Sequence, residues 1–201
     1  MRQGLGAGLR RRSRSPEVGR IWETDPVHRA VAAAGSSVFF VLAPGVVAGV
    51  VPWWLTGWRV LQPVPYWAGL RVAGVALLVA GAAVLVHAFV QFVVEGAGTP
   101  APVAPTDRLV VGGLYRYVRN PMYLAVVASI VGKALALGQI GLLAYAAVVG
   151  VTMGAFVRWY EEPTLRRRFG VEYEAYRRAV PGWWPRARPW DPDKDVASTP
   201  R

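Results

Sequence analysis

The residues best suited to chemistry are concentrated in one segment, Arg108-Leu-Val-Val-Gly-Gly-Leu-Tyr-Arg-Tyr-Val-Arg-Asn-Pro-Met-Tyr123. Its two glycines allow a ligand to approach the backbone closely. Pro121 is typical of the first turn of a helix, whose free amide groups would point back at this loop. Those amides, together with Arg116 and Arg119, could bind a carboxylate. The alternative is that the segment is only the basic, aromatic flank of a membrane helix.

A second candidate is the acidic pair in Arg158-Trp-Tyr-Glu-Glu162-Pro163. Adjacent carboxylates at a membrane boundary are costly unless they are paired or hydrated. Glu161 and Glu162 could neutralise the arginines of the preceding loop, or they could bind a cationic or hydroxyl-bearing ligand. The residues alone leave both interpretations open.

A third candidate is a polar stripe formed by His87, Gln91 and Glu95. The spacing of i, i+4 and i+8 predicts that the three side chains share one face of a helix. They could hydrogen-bond neighbouring helices, or they could line a substrate path, which makes His87 and Gln91 candidate substrate-binding residues. No metal site is expected, because the chain has two histidines and no cysteine.

The elements that must position these residues are membrane helices. Of the 201 residues, 54% are hydrophobic and only 17% are charged, and several apolar runs approach the roughly 20 residues that cross a bilayer. We therefore predict an all-α integral membrane protein with about four transmembrane helices, the last two forming a C-terminal hairpin, followed by an amphipathic interfacial helix. The predicted spans are 31–51, 70–94, 122–137 and 140–157, and the interfacial helix is 164–180.

The charge distribution predicts the topology. The net charge is +11, and all but three of the 23 basic residues fall in the segments 1–30, 95–121 and 158–201, which also hold all 12 acidic residues. Basic residues mark the cytoplasmic side, so both termini are expected there. Nucleic acid is not an expected partner, since no basic stripe is interleaved with aromatic residues. The predicted domains are a basic, largely disordered arm at 1–28, a membrane domain at 29–185 and a disordered tail at 186–201.

Three motifs together resemble the family of isoprenylcysteine carboxyl methyltransferases and phospholipid methyltransferases, which are integral membrane enzymes. The motifs are Leu109-Val-Val-x-Gly113-Leu-Tyr115, then Arg119-Asn-Pro-Met-Tyr123, then Glu161-Glu-Pro-x-Leu165-x-x-x-Phe169-Gly170-x-x-Tyr173-x-x-Tyr176. They extend over residues 95–185, about the C-terminal half of the chain.

The resemblance implies that S-adenosyl-L-methionine binds between the loop before the third span and the end of the fourth. It also implies catalytic roles for Arg119, Asn120 and Arg158, the last of which would in addition bind the substrate. The cofactor contacts carried over from the family are Asp107, Arg108, Leu109, Val110, Tyr115, Asn120, Pro121, Met122, Tyr123, Glu161 and Glu162.

The resemblance therefore predicts a methyltransferase that acts on a lipophilic small molecule or lipid with a carboxylate, thiol or amine head. The eukaryotic carboxyl methyltransferases have histidine at the position of Asn120, which argues against a prenylcysteine acceptor here. The motifs contain no obvious general base, and this favours an anionic nucleophile. We expect the acceptor to enter from the bilayer between the second and fourth spans.

Two other functions remain open from the sequence. One is an NADPH-dependent membrane reductase similar to sterol reductases, in which Arg116 and Arg119 would hold the phosphates. The other is a non-enzymatic membrane scaffold. The bias toward Ala, Val, Gly and Arg is typical of a GC-rich bacterium, so the expected location is the bacterial inner membrane. The oligomeric state is left open.

Overall fold

A computed structural model describes residues 42–96 and 109–191, and the described residues are helical, without a strand. Asp107, Arg108 and the predicted N-terminal arm lie outside them. Two helices contain a wider, π-helical turn: α1 at Val46–Val50, and the join between α4 and α5 at Val157–Glu161. The helices are α1 (Leu42–Thr56), α2 (Ala68–Gly96), a 3₁₀ helix (Gly113–Arg116), α3 (Pro121–Leu137), α4 (Gly141–Phe156) and α5 (Glu162–Ala179).

Two helical stretches are long and apolar enough to cross a membrane. They are Ala68–Gln91 within α2 and the stretch Gly141–Ala179, which contains α4 and α5 and is kinked at Gly170. The apolar helices α1 and α3 are shorter. The all-helical prediction is confirmed for the described residues, whereas the count of four crossings stays a prediction.

Helices α2 and α3 approach each other closely because glycines face the contact. A Cβ atom added to Gly74 would lie 2.5 Å from the backbone nitrogen of Ala136, and one added to Gly132 would lie 2.6 Å from that of Leu78. Small residues of this kind let membrane helices pack backbone to backbone. Another face of α3 packs against α4. This core contains Val126, Ile130, Ala134, Leu142 and Ala146.

Helix α1 is fixed to its neighbours through carbonyl groups that a proline leaves unpaired. Pro52 has no N–H to donate to the carbonyl of Ala48, and the helix widens just before it. The Lys133 ammonium of α3 donates a hydrogen bond to the Ala48 carbonyl. The Tyr145 hydroxyl of α4 donates to the carbonyl of Val47 at 2.9 Å. The proline thus creates the acceptors that hold α1 against α3 and α4.

The predicted amphipathic helix forms as α5, and its apolar face packs on the protein. Tyr173 and Tyr176 are buried together with Val180 and Trp190, and Leu109 packs against the same cluster. The predicted domain boundary at residue 185 falls inside a segment that packs in this way, since Trp190 is only 4% exposed. Described residues on both sides of residue 185 thus share one apolar cluster, and the domain boundary stays a prediction.

Candidate functional site

Arg119 lies at the centre of the predicted site, where the loop before α3 meets the start of α5. Its Nη1 donates to Glu162 Oε1 at 2.8 Å and to the Tyr173 hydroxyl at 3.0 Å, and its Nε donates to the Val180 carbonyl at 3.0 Å. The side chains of Arg119 and Glu162 are 13% and 11% exposed. Such a buried, multiply bonded ion pair fixes α5 against the loop.

The segment after α5 runs antiparallel to the loop and covers it. The Asn120 side-chain amide donates to the Gly182 carbonyl at 3.1 Å, and Asn120 is 7% exposed. Backbone hydrogen bonds continue this pairing from Arg119 N–H to Pro181 O, from Arg186 N–H to Tyr117 O, and from Trp190 N–H to Arg116 O, at 2.9, 3.0 and 2.9 Å. In the described residues, the polar groups of Arg119 and Asn120 therefore bind other parts of the protein.

The pair Tyr123 and Glu161 joins α3 to the end of α4. The Tyr123 hydroxyl donates to Glu161 Oε2 at 3.1 Å, and both residues are half-buried. Within residues 42–96 and 109–191 no basic side chain forms an ion pair with Glu161, whereas Glu162 pairs with Arg119 and, at 3.9 Å, with Arg177. The two adjacent carboxylates thus differ: among the described residues, Glu162 has ionic partners and Glu161 has a neutral hydrogen-bond partner.

A helical irregularity sets the position of Glu161. Pro163 cannot donate a backbone hydrogen bond, and the π-helical turn immediately precedes it, with the Glu162 N–H bonded to the Val157 carbonyl. Glu161 is the last residue of this turn. The sequence Glu-Glu-Pro therefore determines both the carboxylate and the widened backbone that presents it.

Trp183 forms an aromatic wall of the site and was not predicted. Its ring centroid lies 6.5 Å from that of Tyr123. A Cβ atom added to Gly154 would lie 3.9 Å from Trp183 Cζ2, so the indole also lies against α4. The sequence signal that could have identified it is Gly182-Trp-Trp-Pro185 directly after the amphipathic helix.

Several predicted cofactor residues pack the loop against its neighbours. Val110, Tyr115 and Met122 are buried in one apolar cluster with Ala88 of α2. The Tyr115 carbonyl accepts a hydrogen bond of 2.7 Å from the Tyr176 hydroxyl. Met122 and Tyr123 are adjacent in sequence, but they belong to different environments.

The structure describes the side chains of two members of the predicted polar stripe, His87 and Gln91. His87 is exposed on the outside of α2, and the side chain of Glu95 lies outside the described residues. Gln91 packs against Gly113, where an added Cβ would lie 3.0 Å from Gln91 Cδ; Gly113 also has a φ of +51°, which favours glycine. Arg158 is exposed as well.

An apolar groove of about 610 Å³ follows the contact between α2 and α3. Leu77 and Val84 line it from α2, Leu124 from α3, and Pro121 and Tyr117 at the end near the loop. The groove lies between α2 and α3, and the expected entry of the acceptor between the second and fourth spans stays a prediction.

Comparison with known proteins identifies the family. A family model described as phospholipid methyltransferase matches residues 70–172, which is just over half of the chain. No curated protein and no solved structure matches the chain. The matched region extends from α2 into α5 and includes the Arg119–Glu162 and Tyr123–Glu161 pairs. The chain belongs to the phospholipid methyltransferase family of membrane methyltransferases.

Proposed function

We propose that the protein is an S-adenosylmethionine-dependent methyltransferase of the membrane, with its cofactor bound at Tyr123 and Glu161. The observation that carries the proposal is the half-buried Glu161 carboxylate, which hydrogen-bonds Tyr123 and forms no ion pair within the described residues. A carboxylate in a poorly hydrated site attracts a cationic or hydroxyl-bearing ligand. S-adenosylmethionine has both kinds of group.

The residues around Glu161 suit this ligand. S-adenosylmethionine supplies an electrophilic methyl group on a positively charged sulfur. The aromatic rings of Tyr123 and Trp183 could lie against that charge, because the face of an aromatic ring attracts cations. The Tyr123 hydroxyl orients the Glu161 carboxylate, and the apolar surroundings of α3 and α4 exclude water.

Arg119 and Asn120 are assigned a positioning role in this proposal. Their polar groups hold Glu162 and the segment around Gly182 in place, and that arrangement brings Trp183 next to Tyr123. Asp107 and Arg108 stay proposed as further cofactor contacts. His87 and Arg158, both exposed, stay proposed as contacts for the acceptor.

The proposed acceptor is a lipid or lipophilic molecule with a small nucleophilic head. The family name supports a phospholipid, and the groove of about 610 Å³ between α2 and α3 supports an acyl chain. The groove reaches Pro121 and Leu124, the residues on either side of Met122 and Tyr123 in the chain. Such a chain would enter sideways from the bilayer. We also propose four crossings of a bacterial inner membrane, with both termini cytoplasmic.

Equilibrium binding of labelled S-adenosylmethionine to the detergent-solubilised protein tests the assignment. Glu161→Gln should weaken binding by about 1 to 3 kcal/mol, or about 5- to 150-fold, because a charged hydrogen bond is lost. Glu174→Gln is the matched control, since Glu174 is a carboxylate of α5 that pairs with Arg166 at 2.8 Å. It should leave the affinity unchanged.

Two results would contradict the proposal. An unchanged dissociation constant for a Glu161→Gln variant with the wild-type melting temperature would remove Glu161 from the cofactor site. Binding of NADPH in the same assay, without binding of S-adenosylmethionine, would replace the methyltransferase with a reductase.

A further inference from the structure

Lys133 is a basic residue within an apolar helix, at the end of the bundle remote from the candidate methyl-transfer site. It is ten residues from Tyr123 along α3 and four from the last residue, Leu137. At 1.5 Å per residue these separations are about 15 and 6 Å. A charged side chain at this depth is expensive in lipid and usually serves a partner.

Among residues 42–96 and 109–191, this end of the bundle has basic residues and no acidic ones. The sequence contains no Asp or Glu between Asp25 and Glu95, and none between Asp107 and Glu161. Among the described residues, the basic residues at this end are Arg59, Arg71 and Lys133. No carboxylate of the described residues pairs with Lys133, so its charge is not neutralised there by this part of the chain.

The contacts of Lys133 leave its ammonium group able to bind an anion. One hydrogen bond goes to the Ala48 carbonyl, and an ammonium group has three donors. The nitrogen lies 6.0 Å from the centre of the Trp58 ring. Trp53, Trp54 and Trp58 are all exposed at this end, and exposed indoles mark the headgroup level of a bilayer. Lys133 is therefore placed near lipid phosphates.

A second groove, of about 370 Å³, begins at Lys133 and runs between α1 and α2. Apart from Ser129 and Lys133, its lining is apolar, and along α2 it extends from Leu78 to Phe89. Those twelve residues span about 16 Å, which is the scale of an acyl chain crossing one leaflet. A cationic head and an apolar trough in this order are complementary to an anionic amphiphile.

We propose that Lys133 and this groove form a binding site for an anionic phospholipid of the leaflet remote from Arg119. The phosphate accepts a hydrogen bond from the Lys133 ammonium, and one acyl chain lies in the groove between α1 and α2. This lipid is separate from the methyl acceptor, because its phosphate binds at the opposite end of α3 from Tyr123 and its acyl chain occupies a different groove from the one between α2 and α3. The inference does not depend on the proposed methyl transfer.

Native mass spectrometry of the full chain in detergent tests the site. The protein is mixed with phosphatidylglycerol and phosphatidylcholine that have identical acyl chains, and the ratio of the two bound lipids is measured. Wild type should prefer phosphatidylglycerol by about fivefold. Lys133→Gln keeps a donor for the Ala48 carbonyl but removes the charge, so the preference should fall to about one. Lys133→Arg should retain it.

The ratio is read only on folded, lipid-bound molecules, so a loss of stability does not imitate the effect. Arg178→Gln, an exposed basic residue of α5, is the matched control and should retain the preference. Three results would overturn the proposal. The first is an undiminished preference in Lys133→Gln, and the second is displacement of the bound lipid by inorganic phosphate at equal concentration. The third is that Lys133→Gln removes a second copy of the protein from the complex and leaves the bound lipid in place.

Discussion

At the scale of single residues, the two adjacent glutamates have different partners. Glu162 stabilises the structure around the site, and Glu161 is the candidate ligand-binding residue. Glu162 is buried and lies between Arg119 and Arg177, which gives it a structural partner on each side. Glu161 has a neutral partner, the Tyr123 hydroxyl. A paired carboxylate has little attraction left for a cationic ligand, so Glu161 is the better candidate for the cofactor.

The first prediction follows from the Arg119 contacts. Arg119→Met leaves Glu162 buried without its closest cation and removes the bonds to Tyr173 and Val180. We expect a loss of about 3 to 5 kcal/mol in the free energy of unfolding, as for other broken buried ion pairs. Denaturant unfolding in detergent measures it, and the exposed Arg167→Met is the control.

The same variant distinguishes a positioning role from a catalytic one. If Arg119→Met unfolds at the wild-type denaturant concentration but loses methyl transfer, then Arg119 acts directly on the ligands, as the family resemblance implies. Loss of stability, with activity retained per folded molecule, supports the positioning role.

At the scale of the elements, the two π-helical turns have the same sequence cause and different consequences. Each immediately precedes a region where proline, Pro52 or Pro163, interrupts the helical hydrogen bonds. The first exposes carbonyl groups to Lys133 and Tyr145. The second presents Glu161 to Tyr123.

The second prediction uses this pair of prolines. Pro163→Ala supplies the missing N–H and favours a regular α-helix, which rotates Glu161 away from Tyr123. We expect the affinity for S-adenosylmethionine to fall about tenfold, equivalent to one hydrogen bond of about 1.4 kcal/mol, in a protein that is at least as stable. Pro52→Ala is the matched control in α1 and should leave the affinity unchanged. If both substitutions lowered the affinity equally, the affinity would not depend on the geometry of Glu161.

The helices were predictable from the sequence because local residues determine where they start and stop. Pro121 begins α3, and Gly138, with a φ of +69°, ends it. The continuity of α4 and α5 through Glu-Glu-Pro was not predicted, because a proline after two charged residues normally ends a helix. Pairing of the loop with the segment after α5 involves residues about 60 apart, and no local pattern indicates it.

The sequence was sufficient to locate most residues of the candidate site, but not to give the direction in which their side chains point. The motifs brought Arg119, Asn120, Tyr123 and the acidic pair together correctly, since they flank the same helix ends. Which side each residue faces depends on packing against α2 and α5. Met122 therefore packs in the apolar cluster while Tyr123 meets Glu161.

At the scale of the whole molecule, the two ends of the bundle have different electrostatics. The Arg119 end has both signs of charge, joined in buried pairs. In the part of the chain that the structure describes, the other end has basic residues, exposed tryptophans and no acidic residue. The first suits a polar ligand that arrives from water, and the second suits contact with anionic headgroups.

The last prediction is the orientation of these ends. Tyr66, which is 92% exposed, precedes α2 at the tryptophan end, while the exposed Arg167 lies in α5 beyond Glu162 at the other. The chain has no cysteine, so Tyr66→Cys and Arg167→Cys each create a single reactive thiol. With an impermeant thiol reagent on intact bacterial cells, Tyr66→Cys should be labelled and Arg167→Cys should be protected until the membrane is opened. The reason is that most of the described basic residues lie at the Arg167 end, and loops rich in basic residues are retained on the cytoplasmic side of a membrane.

The opposite labelling pattern would place the Tyr123–Glu161 pair outside the cell, where a cofactor made in the cytoplasm does not reach it, and equal labelling of both positions would contradict a membrane crossing between them. The expected pattern leaves the Glu161 carboxylate facing the compartment that supplies a charged methyl donor, while the groove between α2 and α3 remains open to lipid. A polar ligand would then reach α3 from water and an apolar ligand would reach a neighbouring part of α3 from lipid. Neither ligand would have to cross the phase in which it is poorly soluble.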